Sequence, residues 1–258
     1  KISELVYEIY NFVFPVELIR MPNCKTANAV KLTTNVFRDV NIAFVNELSL
    51  LFEKLGIDTM TVLEAAKTKY NFQVHYPGAG VGGPCLPVNS YQFINSAKHF
   101  GDEYLKIVQV GRKINESMPQ HVVDLTINAF DEKKQFIENS NILILGISYK
   151  PNVKDIQLSP AKEIIKTFKN LKSNIKIYDP FYRSEKIYDI VCEDNINDVI
   201  SSIDAIVIIT AHKEFKNLQL EELSSKMKNN ILVDSRGIFD QISAKNAGLI
   251  FRGLGRGT

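Results

Sequence analysis

The sequence predicts an α/β chain: an all-helical first half, residues 1–117, followed by a domain built on a mostly parallel sheet, residues 118–258. Three observations carry this. The length of 258 residues is about 1.7 times a domain of ~150 residues, which suggests two domains. Apolar residues recur with a helical period through the first half. From Asn141 onward, short apolar runs alternate with helical patterns, as in units of strand, crossover helix and strand.

Taken in order, Ile2, Leu5, Val6 and Ile9 share one stripe of an opening helix. The chain enters it without an initiator Met or a signal-peptide core, so a piece upstream is expected to have been removed. A long helix is expected from Cys24 to Leu55. Ala27, Val30, Phe37, Phe44, Val45, Leu48, Leu51, Phe52 and Leu55 recur close to its period, and Gly56 stops it. Its length of about 45 Å exceeds what a small domain needs. Part of its apolar face is therefore expected to meet another subunit. Asp58–Ala66 reads as a second helix and Asp102–Glu116 as a third. Pro119, suited to a first turn, opens a fourth and marks a joint near Ser117.

The second half reads as strand Asn141–Ile147, helix Pro160–Leu171, strand Ile175–Tyr178, helix Ile196–Ile203, strand Ala205–Thr210, helix Leu220–Met227, and strands Ile231–Asp234 and Leu249–Gly253. The strand cores are unbroken apolar runs, as in parallel sheets covered on both faces. Such sheets bind ligands beyond the carboxyl ends of their strands. Those ends carry Ser148-Tyr149-Lys150, Tyr178-Asp179-Pro180, Thr210-Ala211-His212 and Asp234-Ser235-Arg236. Only Gly146 follows the first strand, so the Gly-x-Gly-x-x-Gly dinucleotide fingerprint is missing.

Composition narrows the function. Lys and Arg number 31 against 29 Asp and Glu, a net charge of +2, which argues against a nucleic-acid binder. No apolar run approaches the ~18 residues of a membrane span. Three Cys, an odd number, form no disulfide framework and fit a reducing, cytoplasmic setting. His75, His99, His121 and His212 are scattered without metal-ligand spacing, and no metal site is expected.

The sharpest local feature is Pro77-Gly-Ala-Gly-Val-Gly-Gly-Pro-Cys-Leu-Pro87. Gly78, Gly80, Gly82 and Gly83 let the backbone approach a ligand and turn N–H groups toward an anion. Cys85 directly after them is a candidate activated nucleophile. The plainer alternative is a flexible turn with an inert thiol. Lys31 and Asn35 lie four apart on the long helix and, with Arg38 and Asn41, form a polar stripe able to stabilise an oxyanion. A solvated helix face would read the same way.

The Gly segment with Cys85 resembles the signature of the UDP-glucose/GDP-mannose dehydrogenase family. So do the run from Lys31 to Leu48, Leu55-Gly-Ile-Asp58, Leu145-Gly-Ile-Ser-Tyr-Lys150 with Asp155 and Ser159-Pro160, Tyr178-Asp-Pro180 and Asp234-Ser-Arg236. Arg38-Asp-Val-Asn-Ile-Ala43 and Asn115-Glu-Ser-Met-Pro119 resemble the UDP-N-acetyl-mannosamine dehydrogenase branch. The resemblance implies an all-helical dimerisation domain followed by a Rossmann-like domain that binds a UDP-sugar. It also implies a chain truncated of its NAD-binding domain, and a homodimer through helix 24–55. The implied reaction oxidises the C6 alcohol of a UDP-N-acetylhexosamine to a carboxylate with NAD, through a thiohemiacetal and a thioester on Cys85, for polysaccharide biosynthesis. Lys31 and Asn35 would stabilise charge on the C6 oxygen. Lys150, Arg236 and the four glycines would contact substrate. No nucleic acid or membrane partner is implied.

The chain departs from the family pattern in four ways. Asn89 stands where the family has a catalytic Asp. Pro84 replaces a common His. Gln157 replaces an Arg that meets the cofactor. Lys69, Tyr70 and Asn71 stand where an Arg usually reaches the partner's site. These favour, as the alternative, a non-catalytic UDP-sugar-binding and dimerisation module. A Cys-dependent acyl-transfer enzyme built on Cys85 is a third reading.

Overall fold

The computed structural model describes residues 2–101 and 103–256. Asp102, the expected start of the third helix, lies outside the described residues. Helix α1 (Ile2–Val13) buries none of its residues. Helix α2 (Cys24–Leu55) begins at Asn23, whose side chain accepts the Thr26 N–H at 2.8 Å, and ends at Gly56 with φ 67°. Asp58 caps α3 (Thr59–Ala66) through the Thr61 N–H. These caps satisfy backbone donors that a helix start leaves unpaired.

The buried face of α2 inverts the expected one. Of its nine predicted core residues only Val45 is buried, and beside it and the unpredicted Val36 and Ala43 the inner face holds Asn35, Asp39, Asn46 and Ser49. Val30, Phe37, Phe44, Leu51 and Leu55 are exposed. The polar face can go inside because its groups find partners. Asp39 meets Arg112 and Ser90, and Asn46 meets Asn115.

Helix α4 (Leu86–Ala97) is a helix the glycines and prolines hid. Pro87 is harmless there, since first-turn N–H groups have no helical acceptor. The expected joint near Ser117 is absent: α5 (Lys106–Glu132) runs unbroken through Pro119. The missing Pro119 N–H leaves the Asn115 carbonyl without its helical donor. Burial of Met118, Pro119, Val122 and Val123 around the site holds the helix together. The first part of α5 packs on α2 and α4, and the rest on the sheet and α6 (Ala161–Asn170). The boundary expected at residue 117 thus falls inside one helix.

The sheet comprises β1 (Asn141–Leu145), β2 (Asn174–Tyr178), β5 (Ala205–Ile208), β6 (Ile231–Asp234) and β7 (Ile250–Gly253), all parallel, in the order β2-β1-β5-β6-β7. A two-stranded hairpin, β3 (Lys186–Ile187) and β4 (Ile190–Val191), lies to the side. Alternate strand residues serve two cores. Ile142, Ile144 and Val207 pack with Val122, Phe130, Ile164 and Phe168 from α5 and α6. Leu143, Ile206 and Leu232 pack on the other face with Leu223 from α7 (Leu220–Lys226) and Ala244 from α8 (Gln241–Asn246). β1 and β5 each end two residues earlier than expected. Beyond β1 the backbone turns so that the Ile147 and Ser148 N–H groups meet Asp179. The helix expected at Ile196–Ile203 is instead two short 3₁₀ turns, Ile196–Asp198 and Ile200–Ser202. Crowding by β-branched Ile196, Val199, Ile200 and Ile203 disfavours the longer helix.

The chain then returns to the helical layer. The Gly255 N–H donates to Glu53 at 2.7 Å, Gly255 O accepts from Thr59 N–H at 2.8 Å, and Arg256 pairs with Asp58. Among the described residues, no helix is long and apolar enough to cross a membrane.

Candidate functional site

Between the helical layer and the strand ends lies a cleft of about 540 Å³. One wall is α2, with Lys31, Asn35 and Arg38. The glycine segment 78–83 and Cys85 lie across it. Tyr149, Lys150, Thr210 and Arg236 come from beyond the strands. Residues far apart in sequence are thus brought to one place, where the fold rule expects a ligand.

Two glycines set the width. A Cβ at Gly78 would lie 2.1 Å from Arg236 Nη1. One at Gly83 would lie 2.6 Å from the Tyr149 ring, and Gly83 has φ 89°, which side chains rarely adopt. The segment is fixed at both ends. Gly78 N–H donates to Asn46 Oδ1 at 3.0 Å, and Gly83 N–H donates to the Gln157 carbonyl at 2.8 Å.

Cys85 is exposed and stands at the N-terminus of α4. It lines the cleft together with Lys31, Arg38, Lys150 and Arg236, a cationic neighbourhood that suits a reactive cysteine. Cys192 is buried, and burial pushes its thiol up to about 12. Cys24 is also exposed at a helix start, as the first residue of α2, but it lies outside the cleft and away from the cleft's cations. Iodoacetamide is therefore expected to label Cys85 at least about tenfold faster than Cys24, and to spare Cys192 until unfolding. Peptide mapping of a labelling time course checks this. Equal rates at Cys24 and Cys85 would remove the case for an activated thiol.

Lys31 and Asn35 line the cleft, but Asn89 stands behind them. It accepts a hydrogen bond from Asn35 Nδ2 and donates to Gln92 Oε1 at 2.9 Å. Gln157 does not line the cleft: its side chain is exposed, and its contribution is the carbonyl that holds Gly83. Pro84 lines the cleft and is exposed.

The electrostatics are one-sided. Lys31, Arg38, Lys150 and Arg236 line the cleft, with no Asp or Glu among the lining residues. The Arg236 guanidinium makes one long bond, 3.4 Å to the Pro77 carbonyl. Burial pushes its pKa below the usual guanidinium value, against the pull of Asp234. It remains a cation, with donors to spare. Asp234 spends its carboxylate on the Arg236 and Phe239 backbone N–H groups, which shapes the turn that carries Arg236.

Sequence patterns missed the support behind the cleft. Asp39 is 1% exposed and Arg112 4%. Arg112 Nη1 donates to Asp39 at 2.9 Å, Asn115 Nδ2 at 2.8 Å and Ser90 Oγ at 2.6 Å. Ser90 belongs to α4, so this cluster ties the helix that begins at Cys85 to both α2 and α5. One signal was available: Lys31, Asn35 and Asp39 share a face at spacing four.

Comparison with known proteins agrees with this arrangement. The central domain of the UDP-glucose/GDP-mannose dehydrogenase family matches residues 25–117, and that family's UDP binding domain matches residues 143–241. A UDP-N-acetyl-D-mannosamine dehydrogenase of Pyrococcus horikoshii is 36% identical over 93% of this chain and 54% of its own length. A UDP-N-acetyl-D-glucosamine 6-dehydrogenase of Salmonella typhi is 33% identical over 86% and 52%. The solved UDP-N-acetyl-mannosamine dehydrogenase of Pyrococcus horikoshii superposes with a TM-score of 0.88 at 34% identity, covering 98% of this chain and 57% of that one. That of Staphylococcus aureus gives 0.77 at 29%, covering 98% and 55%. The chain spans about half the length of the curated relatives it matches. Two domain matches in family order, with the glycine segment and Cys85 in the first and Lys150 and Arg236 in the second, show that the chain belongs to the UDP-glucose/GDP-mannose dehydrogenase family.

Proposed function

We propose that this chain carries the substrate site and reactive cysteine of an NAD-dependent UDP-sugar 6-dehydrogenase. Its substrate is a UDP-N-acetylhexosamine, with UDP-N-acetyl-mannosamine the first candidate. The observation that carries the reading is the cleft lined by four cations and no carboxylate, with Cys85 at a helix N-terminus beside it. A diphosphate needs the cations, and an aldehyde at C6 needs a sulfur nucleophile within reach.

In this reading Lys150 and Arg236 hold the diphosphate, with the backbone at Gly78, Gly80, Gly82 and Gly83 close against the substrate. Cys85 Sγ adds to the C6 aldehyde carbon. The C–S bond forms, and the carbonyl π pair moves to oxygen as an alkoxide. The Lys31 ammonium and an Asn35 N–H stabilise that charge. Asn89 takes one of the two Asn35 amide hydrogens, which orients the amide and leaves the other for substrate. Asn89 acts by positioning, since an amide cannot serve as a base.

NAD is the hydride acceptor the family implies. The described residues do not fit it. Only Gly146 follows β1, the next helix starts at Ala161, and Gln157 stands off the cleft. These residues account for binding, thiol addition and oxyanion stabilisation, and not for hydride acceptance.

A homodimer through α2 belongs to the same proposal. Val30, Phe37, Phe44 and Leu51 are exposed at intervals of seven, the spacing of a helix–helix seam. Asn89 also favours a second reading, a UDP-sugar-binding module without turnover. That reading predicts no hemithioacetal on Cys85 when the ¹³C6-aldehyde form of the UDP-sugar is followed by NMR.

The deciding experiment is a thermal-shift titration with UDP and, separately, NAD. UDP at one hundred times its dissociation constant should stabilise by about 2.7 kcal/mol, worth several degrees. NAD should produce no shift. No shift with UDP would sink the proposal.

A further inference from the structure

We propose that His212 is a positioning residue: its neutral imidazole holds the loop 148–152 in the shape that sets Tyr149 against Gly83 and Lys150 in the cleft. This rests on the UDP-sugar reading of that cleft. His212 is 0% exposed and lines no part of the cleft. A buried imidazole is a costly choice where an apolar side chain would fill the space, unless its two nitrogens each make a bond.

Both do. The Asn152 backbone N–H points at His212 Nδ1 at 3.0 Å, so Nδ1 is an acceptor and carries no proton. The ring proton is then on Nε2, which donates to Asp179 Oδ2 at 3.1 Å. This assigns a single neutral tautomer from the network. Phe181 and Phe215 pack around the ring, with centroids at 5.2 and 5.4 Å.

The two bonds close a circuit around the loop. At its start, the Ile147 and Ser148 N–H groups donate to the same Asp179 oxygen at 2.8 and 3.2 Å. At its end, Asn152 gives its N–H to His212 and accepts the Lys213 N–H on Oδ1 at 3.0 Å. Asn152 sits at φ 60°, a left-handed conformation that needs such support. Between these ties, the Tyr149 ring abuts Gly83 and Lys150 reaches the cleft. Burial raises the Asp179 pKa, but the bonds from His212, Phe181 and Ile147 outweigh it and hold the carboxyl below its ordinary value. It is therefore an anion, as a carboxylate that accepts five hydrogen bonds should be.

Three variants separate the role of the bond from that of bulk. In H212N the side-chain oxygen takes the place of Nδ1 and still accepts from Asn152. In H212Q the terminal amide reaches the Nε2 position and leaves the Asn152 N–H without an acceptor. H212A loses both bonds. For each, amide hydrogen exchange at residues 149–152, UDP affinity and melting temperature are measured. In H212Q and H212A, exchange at Asn152 is expected to accelerate, and UDP affinity to fall, by about tenfold or more, while H212N stays within about threefold of the parent. Retention of UDP affinity and Asn152 protection in H212Q would overturn the proposal. So would a loss in H212N equal to that in H212Q. If no variant folds, the parent decides: ¹⁵N spectra must show a neutral His212 with its proton on Nε2, and any other state refutes the assignment. If the parent binds no UDP, the substrate reading falls, and the exchange data alone decide whether His212 holds the loop.

Discussion

Replacing Arg236 with Ala should weaken UDP binding by about 2–4 kcal/mol, which is roughly a hundredfold near the middle of that range. The magnitude follows from its surroundings. The guanidinium is held against the Gly78 backbone, where no side chain competes for the space. It makes one long bond to Pro77, so most of its donors are unspent. A planar fork with spare donors in a carboxylate-free cleft suits a phosphate pair. Arg236→Lys should recover only part of the loss, because a point charge cannot replace two parallel bonds. Calorimetric titration with UDP and with uridine checks the assignment. Uridine lacks the phosphates, so its affinity should be unchanged by either substitution. If Arg236→Ala weakens uridine as much as UDP, Arg236 does not read the diphosphate.

Replacing Arg112 with Met should destabilise the fold by about 3–5 kcal/mol. Asp39 is then left inside the helical layer with no cation. Its other partners, Ser90 and Asn115, are neutral donors. In the native pair, burial pulls the Arg112 pKa down, but Asp39 and Glu116 hold it above its ordinary value. The charge is thus secured by its partners and not by water. The double variant R112M/D39N should recover much of the loss, because removing both charges removes the uncompensated one. Urea denaturation of the three proteins measures this. A single-variant loss below about 1 kcal/mol would mean that water reaches Asp39 and that the cluster is not a sealed support. The same cluster fixes α4, so Arg112→Met protein that still folds should also alkylate more slowly at Cys85.

The sheet and its ligand edge were legible because each strand is an unbroken apolar run between turn residues. The glycine segment was legible because few folds need four glycines in six residues. The features that no local pattern marks have physical causes. Helix α4 starts inside a segment rich in glycine and proline, where local propensity points to a loop. The polar interior of α2 defeats any reading that equates apolar with buried, since Asp39 and Asn46 go inside only because Arg112 and Asn115 wait on a helix some seventy residues away. His212 carries no local pattern, as its hydrogen-bond partners are Asp179, just beyond β2, and Asn152, in the loop after β1. Pro119 by its ordinary preference points to a joint, and tertiary packing overrides it.

The unbroken course of α5 has a mechanical consequence. One rigid shaft is embedded in the helical layer at one end and under the sheet at the other, and buried side chains flank its only proline. The tail contacts of Gly255 and Arg256 with Glu53, Thr59 and Asp58 add a second strut across the same gap. Two struts between two jaws leave no pivot, so the cleft has the set gauge of a caliper, and any yielding falls to the long side chains of Lys31, Arg38 and Lys150.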